Sequence, residues 1–96
     1  MLISIMSVSL DSMLVRTPGV CGGSLRIDGT RITVAQVAAL FRQGLSSEDM
    51  TREYPHVPAG GIYAALAYYL ANRDEINTVL ADEAAEFDAL KGDQDA

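Results

Sequence analysis

The chain has 96 residues, of which 49% are hydrophobic, and carries a formal net charge of −6 at pH 7. A chain of this length forms one small domain and leaves no room for a second. No apolar run approaches the roughly 20 residues that a membrane span needs, so we expect a soluble, cytoplasmic protein. The single cysteine excludes an intrachain disulfide and a thiolate cluster for zinc.

The charge is divided unevenly along the chain. Residues 1–52 carry five arginines and four acids, a net charge of +1, whereas residues 53–96 carry two basic and nine acidic residues, a net charge of −7. A mildly basic half and a strongly acidic half fit two different surfaces rather than a uniform nucleic-acid-binding protein.

The first ten residues, MLISIMSVSL, are apolar and uncharged. They do not form a secretory signal pattern, because no Lys or Arg precedes Arg16, serines interrupt the apolar run and an A-x-A cleavage site is missing. We therefore expect them to belong to the mature protein. The apolar stretch Leu2–Val8 predicts a strand whose exposed edge pairs two copies of the chain into a homodimer.

The glycine-rich stretch GGSLRIDGTRITV, residues 22–34, does not match a nucleotide-binding loop. A P-loop needs a lysine after its last glycine, and a dinucleotide site needs G-x-G-x-x-G before a helix. Asp28-Gly29 instead predicts a two-residue type I′ turn, because the flanking sequences LRI and TRI alternate with a period of two. The stretch therefore predicts a β-hairpin.

The register of this hairpin assigns its side chains to two faces. The core-facing residues are Leu25, Ile27, Thr30 and Ile32. Arg26 lies opposite Arg31 on the other face, where like charges repel unless an anion or a carboxylate lies between them. The two arginines therefore form either an anion or partner-contact site, or two separate solvated side chains.

Two capping boxes mark the first two helices. The motifs TVAQ at 33–36 and SSED at 46–49 each place a hydroxyl residue three positions before a side chain that can bond back to the backbone. They predict a first helix over about 34–43, which a glycine ends, and a short second helix over about 47–54, which a proline ends.

The third helix follows Pro58, which suits a first helical turn, and runs to about Ala71. Asn72 and Glu75 form a further N-cap pair. Either a fourth helix begins there, or the third helix bends and continues, in both cases to about Leu90.

A hairpin followed by three closely connected helices, of which the middle one is very short, is the order of a small helix-turn-helix domain. We therefore predict a mainly α fold with an N-terminal β-hairpin and a C-terminal helix. The predicted single domain comprises an N-terminal strand or arm over 1–12, a central part over 13–82 and an acidic helix end and tail over 83–96.

Candidate contacts to DNA or phosphate are the arginines of the first half and one tyrosine of the third helix. These residues are Arg26, Arg31, Arg42, Arg52 and Tyr63. The third helix begins Pro58-Ala59-Gly60-Gly61, so it offers few side chains that read bases. The arginines remain suited to sequence-independent phosphate contacts.

Candidate contacts to a basic protein partner lie on the last helix. They combine an apolar stripe with flanking acids: Ile76, Val79, Leu80, Asp82, Glu83, Glu86 and Phe87. Such an amphipathic helix either lays its stripe in the groove of a partner with a basic rim, or packs the stripe on the protein's own core.

Catalytic, cofactor-binding and metal-binding residues are not expected. Cys21 would need a nearby base to act as a nucleophile, and His56 is the one histidine in the chain, without a second ligand spaced near it. Tyr68 and Tyr69 cannot both face one core, so one lies on an exposed or dimer-forming surface, or both lie half buried. We expect a protein that is not an enzyme.

The motifs GTRITV at 29–34, EYPHV at 53–57 and IYAALAYYLANRDEI at 62–76, with Gly44 before a capped short helix, resemble the bacterial and archaeal family called domain of unknown function 433. The resemblance covers about residues 14–82. It implies a homeodomain-like or winged-helix-like fold and no established catalytic residues. Since some members are antitoxins encoded beside PIN-type ribonuclease toxins, it also implies an antitoxin-like module that pairs with such a toxin and binds DNA as a dimer. The alternative is a protein-interaction module without DNA binding, which the acidic pI near 4.4 favours.

Overall fold

The computed structural model describes residues 10–95, and side chains within residues 10–90 except that of Asp11. The described chain is mainly helical, with a small antiparallel hairpin near its N-terminal end and a long C-terminal helix, so the predicted fold class is confirmed. The elements are a 3-10 turn at Leu10–Met13, β1 at Leu14–Val15, a second 3-10 turn at Cys21–Gly23, β2 at Arg26–Ile27, α1 at Val34–Arg42, α2 at Ser47–Glu53, α3 at Ala59–Ala71 and α4 at Arg73–Asp95. The predicted strand over Leu2–Val8 lies outside the described residues.

The hairpin pairs β2 with a strand that precedes it in the chain. β1 and β2 are antiparallel, with Leu14 opposite Ile27 and Val15 opposite Arg26. The sequence pattern missed β1, because a strand of two residues is too short to show an alternation of polar and apolar side chains.

The turn after β2 is not of the predicted type I′. Gly29 has a φ of +78°, but Asp28 does not share the positive φ that this turn type requires at both central positions. The N–H of Thr30 donates to the carbonyl of Ile27 at 3.0 Å, so a tight turn does form there. One positive φ at the third turn position is the pattern of a type II turn, which glycine favours.

The predicted hairpin register is wrong by two residues. The N–H of Ile27 donates to the carbonyl of Ile32 at 2.8 Å, and Arg26 bridges to Thr33, so Arg26 does not face Arg31. The hydroxyl of Thr30 explains the longer loop, because it donates to the carbonyl of Ile27 at 2.8 Å and accepts the N–H of Ile32 at 3.0 Å. A shift of two residues keeps the alternation of faces, so Ile27 is still buried in the core and Ile32 still packs against it.

Both predicted capping boxes are present. The Thr33 hydroxyl accepts the N–H of Gln36 at 3.0 Å, while the Gln36 side chain accepts the N–H of Thr33 at 2.9 Å. Ser46 and Asp49 form the same pair of bonds at 3.1 and 2.9 Å. α1 and α2 therefore begin where the sequence predicts, and α1 ends before Gly44, which has a φ of +101°.

The chain breaks between α3 and α4 rather than bending through one helix. Asn72 leaves helical geometry, with φ and ψ of −136° and 47°. Within the described residues the side chain of Asn72 does not cap α4, and its amide nitrogen donates to the carbonyl of Tyr68 at 3.0 Å. The Glu75 carboxylate accepts a hydrogen bond from the hydroxyl of Tyr68 and does not bond back to the backbone of Asn72.

The core lies where α1 packs on α3, and both strands, α2 and the start of α4 contribute to it. Its buried side chains are Ile27, Val34, Ala35, Val37, Ala38, Met50, Val57, Ile62, Ala65, Leu66, Tyr69 and Ile76. The hairpin packs closely on α3 at Gly61, where an added Cβ would lie 2.5 Å from Cγ2 of Ile27.

Gly61→Ala should therefore destabilise the fold by about 1–3 kcal/mol, because the Ile27 side chain is fully buried and has no room to move away. Gly60→Ala is the matched control. An added Cβ there would meet only the flexible end of Met13, at 3.0 Å, so the gain in helix propensity should keep stability at or above that of the unchanged chain. Denaturant unfolding of both variants measures the difference, and equal stabilities would contradict this packing.

The cap of α2 should give stability that depends on pH. The backbone N–H of Ser46, with the Ser46 hydroxyl and the Arg52 guanidinium, holds the pKa of Asp49 below its ordinary value of 3.8. A lowered pKa means that the carboxylate stabilises the folded state above the ordinary value and that this contribution is lost as the pH falls through the lowered pKa. Asp49→Asn should be less stable than the unchanged chain at neutral pH, and the difference should disappear as the pH falls through the lowered pKa of Asp49. A difference independent of pH in thermal unfolding would refute this assignment.

Candidate functional site

α3 follows α2 and a short turn, which is the position of the reading helix in a helix-turn-helix domain. Its exposed residues are Ala59, Tyr63, Ala67, Leu70 and Ala71. Of these, only Tyr63 carries a hydrogen-bonding side chain, and Arg, Lys, Asn and Gln are absent from this helix. The face that would enter a DNA groove is therefore nearly devoid of groups that recognise base edges.

Arg26, a predicted phosphate contact, is folded into the protein. Its Nη1 donates to the carbonyl of Thr30 at 2.9 Å, and its Nη2 donates to the hydroxyl of Thr17 at 2.9 Å. Its Nε is buried and has no hydrogen-bond partner within the described residues. Arg26 thus ties the loop after β2 to the segment after β1 and is poorly placed to meet an external phosphate.

The other three predicted arginines lie on separate elements. Arg31 is exposed in the loop after β2, and Arg42 is exposed in the last turn of α1. Arg52 is exposed in the last turn of α2, where its guanidinium pairs with Asp49. Of the predicted arginines, Arg31 and Arg42 are therefore the two that are exposed and form no ion pair within the described residues.

The predicted apolar stripe of α4 divides into two parts. Ile76 is only 3% exposed, and Val79 and Leu80 pack against the core. These three predicted partner contacts therefore belong to the protein's own interior, as the alternative interpretation of the stripe held.

Beyond Leu80 the same helix leaves the domain. Residues 81–90 are all exposed, and Phe87 and Leu90 expose 66% and 64% of their surface. The predicted partner contacts Asp82, Glu83, Glu86 and Phe87 all lie here, together with Asp88. We call residues 81–95 the projecting part of α4. The described chain measures 69 Å along its longest axis, against 30 and 26 Å across.

Polar contacts fix the base of α4 to the domain. The hydroxyl of Tyr68 donates to the carboxylate of Glu75, with oxygen distances of 2.6 and 2.9 Å, and Arg16 lies 3.8 Å from the same carboxylate. The acceptance of this hydrogen bond by Glu75 raises the pKa of Tyr68 above its ordinary value. One carboxylate on α4 thereby contacts both α3 and the segment that follows β1.

Tyr69, the next residue of α3, forms a second anchor for α4. Its ring is buried, its hydroxyl donates to Oδ1 of Asn77 at 2.9 Å, and the guanidinium of Arg73 lies 5.9 Å from its ring centroid. The ring of Phe41 packs edge-on against it, with centroids 6.3 Å apart. Of the two adjacent tyrosines, Tyr69 therefore faces the core and Tyr68 lies half buried.

A groove of about 410 Å³ runs beside α3. It is lined by Leu10, Leu14, Leu25, Ala64, Ala67, Tyr68, Ala71 and Asn72. Sequence analysis missed this surface, although one signal for it was available, because no charged residue occurs between Ala59 and Ala71.

The part of the chain that the structure describes holds no group of three or more His, Cys, Asp or Glu side chains placed to bind a metal ion. The thiol of Cys21 donates to the carbonyl of Arg31 at 3.5 Å, and His56 lies on the surface beside Tyr54. No helix of residues 10–95 is both long and apolar enough to cross a membrane.

Comparison with known proteins shows which family this chain is similar to. Residues 14–69 match the model of the family described as protein of unknown function (DUF433). A crystal structure of a DUF433 member protein from Anabaena variabilis is similar to this chain, with a TM-score of 0.66 and 38% sequence identity over 75% of this chain and 71% of that one. No curated protein matches the chain.

The matched region runs from β1 to the end of the core-facing part of α3, and the related crystal structure has the same fold over three quarters of this chain. The chain therefore belongs to the DUF433 family, the family that its motifs resemble.

Proposed function

We propose that the protein is a non-enzymatic regulatory module of the antitoxin type, which binds a basic protein partner, a PIN-like ribonuclease toxin, through the projecting part of α4. The observation that carries this proposal is the exposure of Phe87 and Leu90 on a helix that has left its own domain.

The apolar stripe of α4 continues past the point where the core ends. Ile76, Leu80, Ala84 and Phe87 recur at spacings of three and four residues, so they lie on one side of the helix. The core covers Ile76 and Leu80, whereas Ala84 and Phe87 are exposed. An amphipathic helix with an uncovered stripe of this kind fits a groove on a second protein.

The charges of the projecting part indicate the chemistry of that groove. Asp82 and Glu86 are four residues apart and Glu83 and Glu86 are three apart, so like charges face one another along the helix and destabilise it. A basic rim on the partner would relieve this repulsion and speed association. A ribonuclease presents such a surface, because it must bind the phosphates of RNA.

Deletion of residues 82–96 should abolish binding to a co-expressed PIN-type ribonuclease and restore its activity on RNA. The core should remain folded, because the deleted residues that the structure describes with side chains, 82–90, are all exposed. Co-purification and a ribonuclease assay measure the effect, and circular dichroism checks the fold. Retained inhibition by the truncated chain, or loss of the fold, would refute this role for α4.

A double variant tests the apolar stripe with less disturbance. Phe87→Ser with Leu90→Ser should weaken ribonuclease binding by at least about tenfold, because each side chain would lose the apolar area that it buries in the groove. Tyr63→Ser with Leu70→Ser is the matched control, since these residues are similarly large but lie on α3, at 49% and 46% exposure. Unchanged binding by the α4 variant, or equal losses in both variants, would contradict a specific role for α4.

Binding of DNA by the helix-turn-helix surface is the second candidate, favoured by the exposed guanidinium groups of Arg31 and Arg42. Because α3 lacks side chains that read bases, such binding would consist of phosphate contacts and would depend steeply on salt but weakly on sequence.

Arg31→Ala with Arg42→Ala should therefore lower the slope of log K against log salt by about two, close to one for each lost phosphate contact. Fluorescence anisotropy with a labelled duplex at several salt concentrations measures the slope. Sequence-selective binding that survives in the double variant would contradict this form of DNA contact.

A further inference from the structure

The composition of α3 is unusual for a helix with an exposed side. None of its thirteen residues is charged, in a chain where 21% of residues are charged. Helices that are apolar all round are normally buried all round, but only one side of α3 packs on the core. The other side presents Tyr63, Ala67 and Leu70 to the surface of the described structure. We call this side the outer face of α3.

The outer face continues into the groove beside β1. Ala67 belongs to both surfaces, and Leu10, Leu14 and Ala71 also line the groove. Leu10 exposes 62% of its surface, so a large apolar side chain lies open to solvent next to this apolar face. The combined surface therefore has the character of a protein contact rather than of a solvated helix side.

The absence of charge and the shape of the outer face indicate that a second copy of the chain covers it. Two copies of a chain with a net charge of −6 repel each other, so a contact between copies is least opposed where neither contributes a charge, as on this face. Ala67 lies between Tyr63 and Leu70, a small residue between two large ones. In an antiparallel pair of α3 helices with a two-fold axis near Ala67, Tyr63 of one copy meets Leu70 of the other, and the paired alanines allow close approach.

We propose that the outer face of α3 is the interface of a two-fold symmetric homodimer, with Ala67 next to its own copy at the axis. The helix of thirteen residues is about 20 Å long, so one face of it buries less than the roughly 1,600 Å² of a standard interface. We expect a dimer with a micromolar dissociation constant. This dimer covers the helix that would otherwise read DNA and leaves the projecting part of α4 accessible, so it does not depend on the function proposed above.

Paired charge variants at the axis test the proposal. Ala67→Glu and Ala67→Lys should each be monomeric, because two like charges would meet at the axis, whereas a 1:1 mixture of the two should dimerise again. Ala81→Glu is the matched control, since it adds the same charge at an exposed alanine of α4 and should dimerise as the unchanged chain does. Sedimentation velocity from about 1 to 100 µM measures the dissociation constants, with an expected rise of at least tenfold in each single variant.

Leu70→Gln serves as a second variant, which adds no charge and should also weaken the dimer at least tenfold, with circular dichroism confirming the fold. A monomeric unchanged chain at about 100 µM would overturn the proposal. Three other results would also overturn the proposal, because each would place the contact elsewhere. Ala67→Glu could dimerise as tightly as the unchanged chain, the mixture could fail to associate, or the dimer could be lost only on deletion of residues 1–9.

Discussion

The close packing of Ile27 on Gly61 is the contact on which the rest of the structure depends. It brings the hairpin against α3, and α3 in turn contacts α1, α2, α4, both strands and the first 3-10 turn. A side chain at position 61 would hold the hairpin away and open the interior, because the neighbouring core residues are already fully buried. The helix in the reading position of a helix-turn-helix domain is thus the structural centre of this molecule.

This central role explains why α3 is so apolar and where functional surfaces remain. Its inner side holds the core, its outer side has no charge to offer to nucleic acid, and its tyrosines anchor α4 through Glu75 and Asn77. We therefore propose that the function lies in α4, the helix that α3 anchors. The projecting part extends beyond the contacts at the base of α4, and its acids and two large apolar side chains are exposed.

Sequence analysis predicted features that depend on residues close together in the chain. The capping boxes at Thr33 and Ser46 involve bonds over three residues, so α1 and α2 could be placed nearly to the residue. The hairpin register could not be predicted, because the Thr30 hydroxyl takes the place of ladder bonds that the turn pattern assumes. β1 was missed because its residues pair with β2 residues 11 and 13 positions further along the chain, and each strand has only two residues. The apolar stripe of α4 was predicted from its spacing. Because that spacing is the same on both sides of Leu80, it does not show where the core ends.

Amide hydrogen exchange of the full chain, alone and with a PIN-type ribonuclease bound, tests the central claim most directly, namely that α4 beyond Leu80 is the partner-binding element. We expect exchange to slow across residues 81–95 on binding, while the amides of the capped helices α1 and α2 keep their rates. Slowed exchange confined to the surface around Arg31 and Arg42, with residues 81–95 unchanged, would contradict it.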